Sequence, residues 1–231
     1  MDVKDAADSL KEWFFDLAGI FLPGATLMFV LTLIYNDQVH LSDVGRYYTQ
    51  DIKVNFAYVV TAYITGYLVY SLSTFVDAIF DLINRFIWSG IPSKAHERRK
   101  IISTSNEYLL FKKLSAQRAA TDTQTDLTTF LQQNNFDEIR NLAMSYSPDS
   151  DSKIYNFSFR AEICNHLGTA FIITGAIGII ASFATNRNML LFSLCSFMVA
   201  VLFKLVRVKY LDAAYKVPFS IANVKLMTAK T

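Results

Sequence analysis

Cysteine, proline and charge are all scarce in this chain. Two cysteines in 231 residues exclude a disulfide-stapled scaffold. Both, Cys164 and Cys195, are bracketed by apolar side chains, and no Cys-x-x-Cys or His-Glu-x-x-His spacing accompanies them. No zinc or other metal site is expected, and no cofactor. Of the four prolines, 92, 148 and 218 read as punctuation between helical patterns, and Pro23 lies inside the first helix. Charged residues make up 18% of the chain, against about 25% in an ordinary soluble domain. Hydrophobic residues make up 52%, which excludes a disordered chain.

The missing charge is segregated. Windows 17–35, 54–76, 163–185 and 188–203 hold no Asp, Glu, Lys or Arg. All 42 charges fall in the other 150 residues, which are 28% charged. A helix crossing the hydrocarbon core needs about 20 mostly apolar residues. Windows 54–76 and 163–185 meet that length outright. Phe14 and Phe15 lengthen the first window, and a snorkelling Lys204 lets Leu205 and Val206 extend the last. The expected fold is an all-α integral membrane protein with four transmembrane helices, at about 14–35, 54–76, 163–185 and 188–206. They form two hairpins. The first segment lacks the basic start and small-residue cleavage pattern of a signal peptide, so it reads as a retained membrane helix.

Basic residues near the membrane ends set orientation. The connection 36–53 carries only Arg46 and Lys53, and the turn between the last two helices only Arg187. The central segment opens with Arg85, Lys94, Arg98, Arg99 and Lys100. The end of the chain carries Lys204, Arg207, Lys209, Lys216, Lys225 and Lys230 against Asp212 alone. Both termini and the central segment of this multi-pass protein are therefore expected in the cytoplasm.

The expected organisation has four parts. Residues 1–88 form an amphipathic start and the first hairpin, whose second helix extends to about 88. Residues 89–152 form a helical cytoplasmic module, residues 153–216 the second hairpin, and residues 217–231 a basic cytoplasmic tail after Pro218 ends the last helix. Within the module, Leu110, Phe111 and Leu114 share one helical face. Leu127, Phe130 and Leu131 share another, and Ile139, Leu142, Ala143 and Tyr146 a third. Thr121-x-x-Gln124 and Asn135-x-x-Glu138 have the spacing of capping boxes. Pro23 predicts a kink in the first helix, tolerable only where a neighbour satisfies the freed carbonyl.

Several constellations are candidate sites. Asp77, Asp81 and Arg85 lie four apart at the cytoplasmic end of the second helix. Arg160, Glu162, Asn165 and His166 open the third. Antiparallel packing is expected to bring Glu162 and His166 to Asp77 and Asp81, making a polar cluster at the membrane boundary. Such a cluster is either a headgroup-level salt bridge or an acidic ring at a pore mouth. Tyr63, Tyr67 and Tyr70 share a face, and the first two lie too deep for an interfacial belt. They face another helix or line a pore or groove. Ala170, Thr174, Gly178 and Ser182 form a small-residue stripe for helix–helix contact, within the chain or between copies. Lys94, Arg98, Arg99 and Lys100 follow a membrane helix directly and are expected to meet anionic lipid; poor aromatic interleaving speaks against nucleic acid.

Leu22-Pro23-Gly24, Ala62-Tyr63-Ile64-Thr65-Gly66-Tyr67 and Phe159-Arg160-Ala161-Glu162-x-x-Asn165 together resemble motifs of small bacterial four-helix membrane proteins that accompany anti-phage defence systems. The resemblance touches about a third of the chain in short motifs. It implies immunity by membrane perturbation or sensing, by a membrane effector or by the anchored partner of a cytoplasmic protein. The Arg160-x5-His166 spacing is also similar to that of HEPN ribonucleases, but His166 sits inside an uncharged run. No catalytic residue set is expected. The sequence therefore points to a homo-oligomer that senses or permeabilises the membrane with a cytoplasmic protein partner. The alternatives are a passive anchor recruiting a soluble effector, and a small transporter.

Overall fold

The computed structural model describes residues 13–14, 17–35, 52–87, 95–121, 131, 135–146, 151–184 and 188–228. Among these there is no strand. A π-helical turn, Leu17–Phe21, leads directly into α1 (Leu22–Tyr35). The others are α2 (Ile52–Ile87), α3 (Ala95–Ile102), α4 (Asn106–Thr121), α5 (Phe136–Ser145), α6 (Asp151–Ala184) and α7 (Asn188–Thr228). Among the described residues, three helical stretches are long and apolar enough to cross a membrane: Phe56–Ile79, Lys153–Phe183 and Met189–Thr228. Leu17–Thr32 is a shorter apolar helix. The chain divides into two compact units, Met1–Ile87 with Ala161–Arg207, and Trp88–Arg160 with Val208–Thr231.

The first unit is built on small residues that let backbones meet. A Cβ on Gly24 would strike the Ala62 carbonyl and the Gly66 backbone, and one on Gly66 would strike the Ile20 carbonyl. The Leu22-Pro23-Gly24 and Ala62–Tyr67 motifs are thus two sides of one contact. Leu27, Val69 and Ala170 then join α1, α2 and α6, with Leu31 and Ile173 packed against them. On α6, Gly178 faces Ser193, Gly175 faces the Phe197 ring and Gly168 faces Lys204, so numbers fall along α6 as they rise along α7. Phe171 stacks on Phe203 in the same register, with centroids 5.9 Å apart. The stripe Ala170, Thr174 and Gly178 is buried inside this unit, and Ser182, half-buried, bonds back to the Ile179 carbonyl. The stripe serves packing within the chain.

The second unit has its own core of Ile102, Tyr108, Phe111, Leu131, Ile139, Ala143, Phe219, Ala222 and Leu226. The expected faces on α4 and α5 supply Phe111, Ile139 and Ala143, with Leu114, Leu142 and Tyr146 packed against them. Leu127, Phe130 and Gln124 lie outside the described residues, and Thr121 is the last residue of α4. The Asn135-x-x-Glu138 box forms in full: Asn135 Oδ1 accepts from the N–H groups of Asp137 and Glu138, and Glu138 accepts from the Asn135 N–H.

One expectation is corrected here. Pro218 does not end α7, because the helix runs on to Thr228. A proline inside a helix costs about 3 kcal/mol or more, through a lost backbone bond and a ring clash, and the burial that follows Pro218 offsets it. Phe219 is fully buried, with Tyr108, Phe111 and Phe136 rings at 5.2, 5.7 and 5.8 Å. Asn223 donates to the Glu107 carbonyl at 2.9 Å. Burial of an aromatic cluster outweighs the cost of the proline. The module is therefore discontinuous in sequence.

Two outcomes follow from this packing. Gly66→Ala should destabilise the purified protein by about 1–3 kcal/mol through overpacking, read as a lowered thermal midpoint; an unchanged midpoint contradicts the close approach. Phe219→Ala should cost about 3–5 kcal/mol and make residues 95–146 protease-sensitive, while an unaltered digestion pattern contradicts the module core.

Candidate functional site

Near the end of the apolar run of α2, three helices bring their polar residues together. Lys204 of α7 is only 4% exposed. An ammonium has three protons and no acceptor, so burial demands three acceptors. Lys204 Nζ donates to Asp77 Oδ1 of α2 at 2.5 Å and to Asn165 Oδ1 of α6 at 2.5 Å. It donates to Thr169 Oγ1 at 3.3 Å, and the Thr169 hydroxyl in turn donates to the Asn165 carbonyl at 2.9 Å. The second Asp77 oxygen accepts from Arg207 at 2.8 Å. Asp77 is thus held by two cations three residues apart on α7. Asp77, Lys204 and Arg207 together carry one net positive charge.

A second polar tie answers the proline. In an α-helix the N–H of residue 23 would reach back to the Gly19 carbonyl, and Pro23 has none. The local backbone widens into the π turn Leu17–Phe21, and His166 Nδ1 lies 3.0 Å from the Gly19 oxygen. A carbonyl only accepts, so Nδ1 carries the proton. The histidine stands in for the missing backbone donor, as the Pro23 kink requires. Its other face meets Tyr70, with centroids 5.0 Å apart, and Glu162 lies 3.7 Å from Nε2, too far for a hydrogen bond.

The boundary cluster therefore exists with different partners from those expected. Asp77 is taken by Lys204 and Arg207, not by Glu162 and His166. Lys204 does not snorkel, because snorkelling would forfeit three bonds for one hydrated charge. The side chains of Asp81 and Arg85 lie outside the described set, as does the side chain of Arg98 and the whole of Lys94. Arg160 sits over the Tyr210 ring at 5.9 Å. Arg99 and Lys100 are described and lie in the second unit, where Arg99 pairs with Asp137 at 3.0 Å. Tyr63 and Tyr67 meet edge to face at 5.2 Å, but Tyr67 and Tyr70 are 47% and 54% exposed. The chain does not close over them. Neither the Tyr67 nor the Tyr70 hydroxyl has a hydrogen-bond partner among the described residues. Among those residues, no group of His, Cys, Asp or Glu is arranged to hold a metal.

Sequence reasoning missed Lys204, Arg207 and Thr169. The signal was available: a lone lysine followed by Leu-Val-Arg at the end of an apolar run faces the same depth as Asp77 on the second helix.

The chemistry of this arrangement is structural and electrostatic. It locks α2, α6 and α7 in register. Lys204→Met should cost about 3–5 kcal/mol, because Asp77 loses its buried partner. Adding Asp77→Asn should lose little more than Lys204→Met alone, and strictly additive losses in thermal or denaturant unfolding would contradict the coupling. Comparison with protein-family models, with curated proteins and with solved structures returns no match for this chain.

Proposed function

We propose that the chain is a four-span inner-membrane protein whose copies assemble into a homo-oligomer that senses or permeabilises the membrane in anti-phage defence. Both termini lie in the cytoplasm, and a cytoplasmic protein partner engages the helical module. Three long apolar helices support the membrane assignment. The first unit supports a fourth span: the π turn and α1 together cover 17–35, about 28 Å at ~1.5 Å per residue, close to the thickness of the hydrocarbon core. The α6–α7 contacts support the second hairpin.

The observation that carries the oligomer is Tyr67. It stands halfway along the span Phe56–Ile79, exposed, with an unpartnered hydroxyl. Lipid offers no hydrogen bond, and a tyrosine at mid-span cannot reach either headgroup layer. A second copy, or a wet lumen between copies, satisfies it. The defence role rests on the resemblance of the Pro23, Gly66 and Asn165 motifs.

A different observation favours the passive anchor as second reading. Both Asp77 oxygens are engaged by cations, so Asp77 leaves no free acid for a pore mouth.

Native mass in detergent should exceed that of one chain. Tyr67→Phe, which removes only the hydroxyl, should weaken association by about threefold or more. A monomer in both forms overturns the oligomer. Liposomes carrying the protein should pass ions when the partner is present. Stoichiometric partner capture without flux in any condition assigns the anchor instead.

A further inference from the structure

The second unit holds a cavity of about 430 Å³ that the membrane reading does not use. It is lined by Arg99, Lys100, Ser103, Tyr108, Asn135, Phe136 and Asp137. Its volume lies in the range of small-ligand sites. One wall is aromatic, with Tyr108 stacked on Phe136 at 5.6 Å and 26°. The opposite character comes from donors: a guanidinium, an ammonium, a phenol and a carboxamide.

Three of these donors are unspent. Tyr108 is 7% exposed, yet its hydroxyl bonds to no described residue. It is absent from the sealed, unsatisfied atoms, and Tyr108 lines the cavity. Burial pushes this phenol above its usual range, which keeps it a proton donor at neutral pH. Asn135 spends its oxygen on the cap of α5, leaving its Nδ2 protons unpaired among the described residues. Lys100 is exposed and unpaired there too. Arg99 gives one edge to Asp137, while its Nε is sealed from solvent with no partner among the described residues. Asp137 also lines the cavity, so the described lining residues carry one net positive charge. The ten-residue α5 starts at the same place, the partial positive charge of its N-terminus offset by Asp137 and Glu138 in its first turn.

We propose that this cavity binds a phosphate group attached to a small organic body, with Lys100, Tyr108 and Asn135 as donors and the Tyr108–Phe136 wall as the apolar seat. Phosphate suits the set better than a carboxylate. It offers three or more acceptor oxygens to donors converging from α3, α4 and the start of α5. The group could arrive on a soluble phosphate ester or as the headgroup of an anionic lipid. The site is independent of the oligomer and of any pore.

The test uses the full-length protein in dodecyl maltoside, titrated calorimetrically with phenyl phosphate and, separately, with benzoate. Phenyl phosphate should bind and benzoate should bind more weakly. Lys100→Ala should weaken phenyl phosphate about tenfold or more, and Tyr108→Phe, which keeps the ring, about threefold to tenfold. Lys113→Ala, on the exposed side of α4, should change nothing and serves as the charge control. The titration is then repeated in nanodiscs of equimolar phosphatidylcholine and phosphatidic acid. Loss of phenyl phosphate binding there identifies the lipid headgroup as the natural source, and retention identifies a soluble ester. The proposal is overturned if phenyl phosphate gives no binding at millimolar concentration in detergent. It is equally overturned if Lys100→Ala and Tyr108→Phe bind as the wild type does.

Discussion

In apolar surroundings a polar group must find its partner inside the protein, and Lys204 is where this chain meets that demand most fully. Its three protons go to Asp77 on α2 and to Asn165 and Thr169 on α6. One ammonium therefore fixes the rotation and the axial position of three helices at once. Hydrophobic contact could not do this, because one apolar side chain replaces another at little cost where lipid and core are equally oily. The glycines make the arrangement possible. Gly168 gives the Lys204 stem room to lie along α6, and Gly24 and Gly66 let α1 and α2 touch backbone to backbone.

Proline 23 imposes the same demand from the other direction. It removes a donor, and the backbone answers with a wider turn while His166 supplies a proton from another helix. The two ties sit next to each other on α6, at Asn165 and His166. Rotating α6 by one residue would break both. Polar side chains in this unit are spent on geometry first, which is why the residue set that reads as a site in the sequence behaves as a lock in the fold.

Much of this was legible in the sequence. Uncharged windows located the long helices, because only an apolar run escapes the cost of burying charge without a partner. The Asn135 box was readable since its bonds are local. The need for a partner at the Pro23 kink was readable too, because the missing N–H is a covalent fact. Which residue supplies it was not, since His166 is 147 positions from Gly19 and no local rule pairs them. Lys204 was misread for a similar reason. A lysine at the end of an apolar run snorkels by default, and only the depth match with Asp77 on another helix reverses the preference. Pro218 was misread because a helix-breaking rule is local, whereas the aromatic burial of Phe219 that overrides it is tertiary.

The module core has one more consequence, which concerns time. Its helices α3 to α5 leave the ribosome early, but Phe219, Ala222 and Leu226 are translated only after both 163–185 and 188–203. Through that interval the faces of α4 and α5 lack their covering residues, so the module cannot complete its core until the last two apolar segments have been made. Synthesis order thereby makes a finished module a report that the rest of the chain has already been delivered.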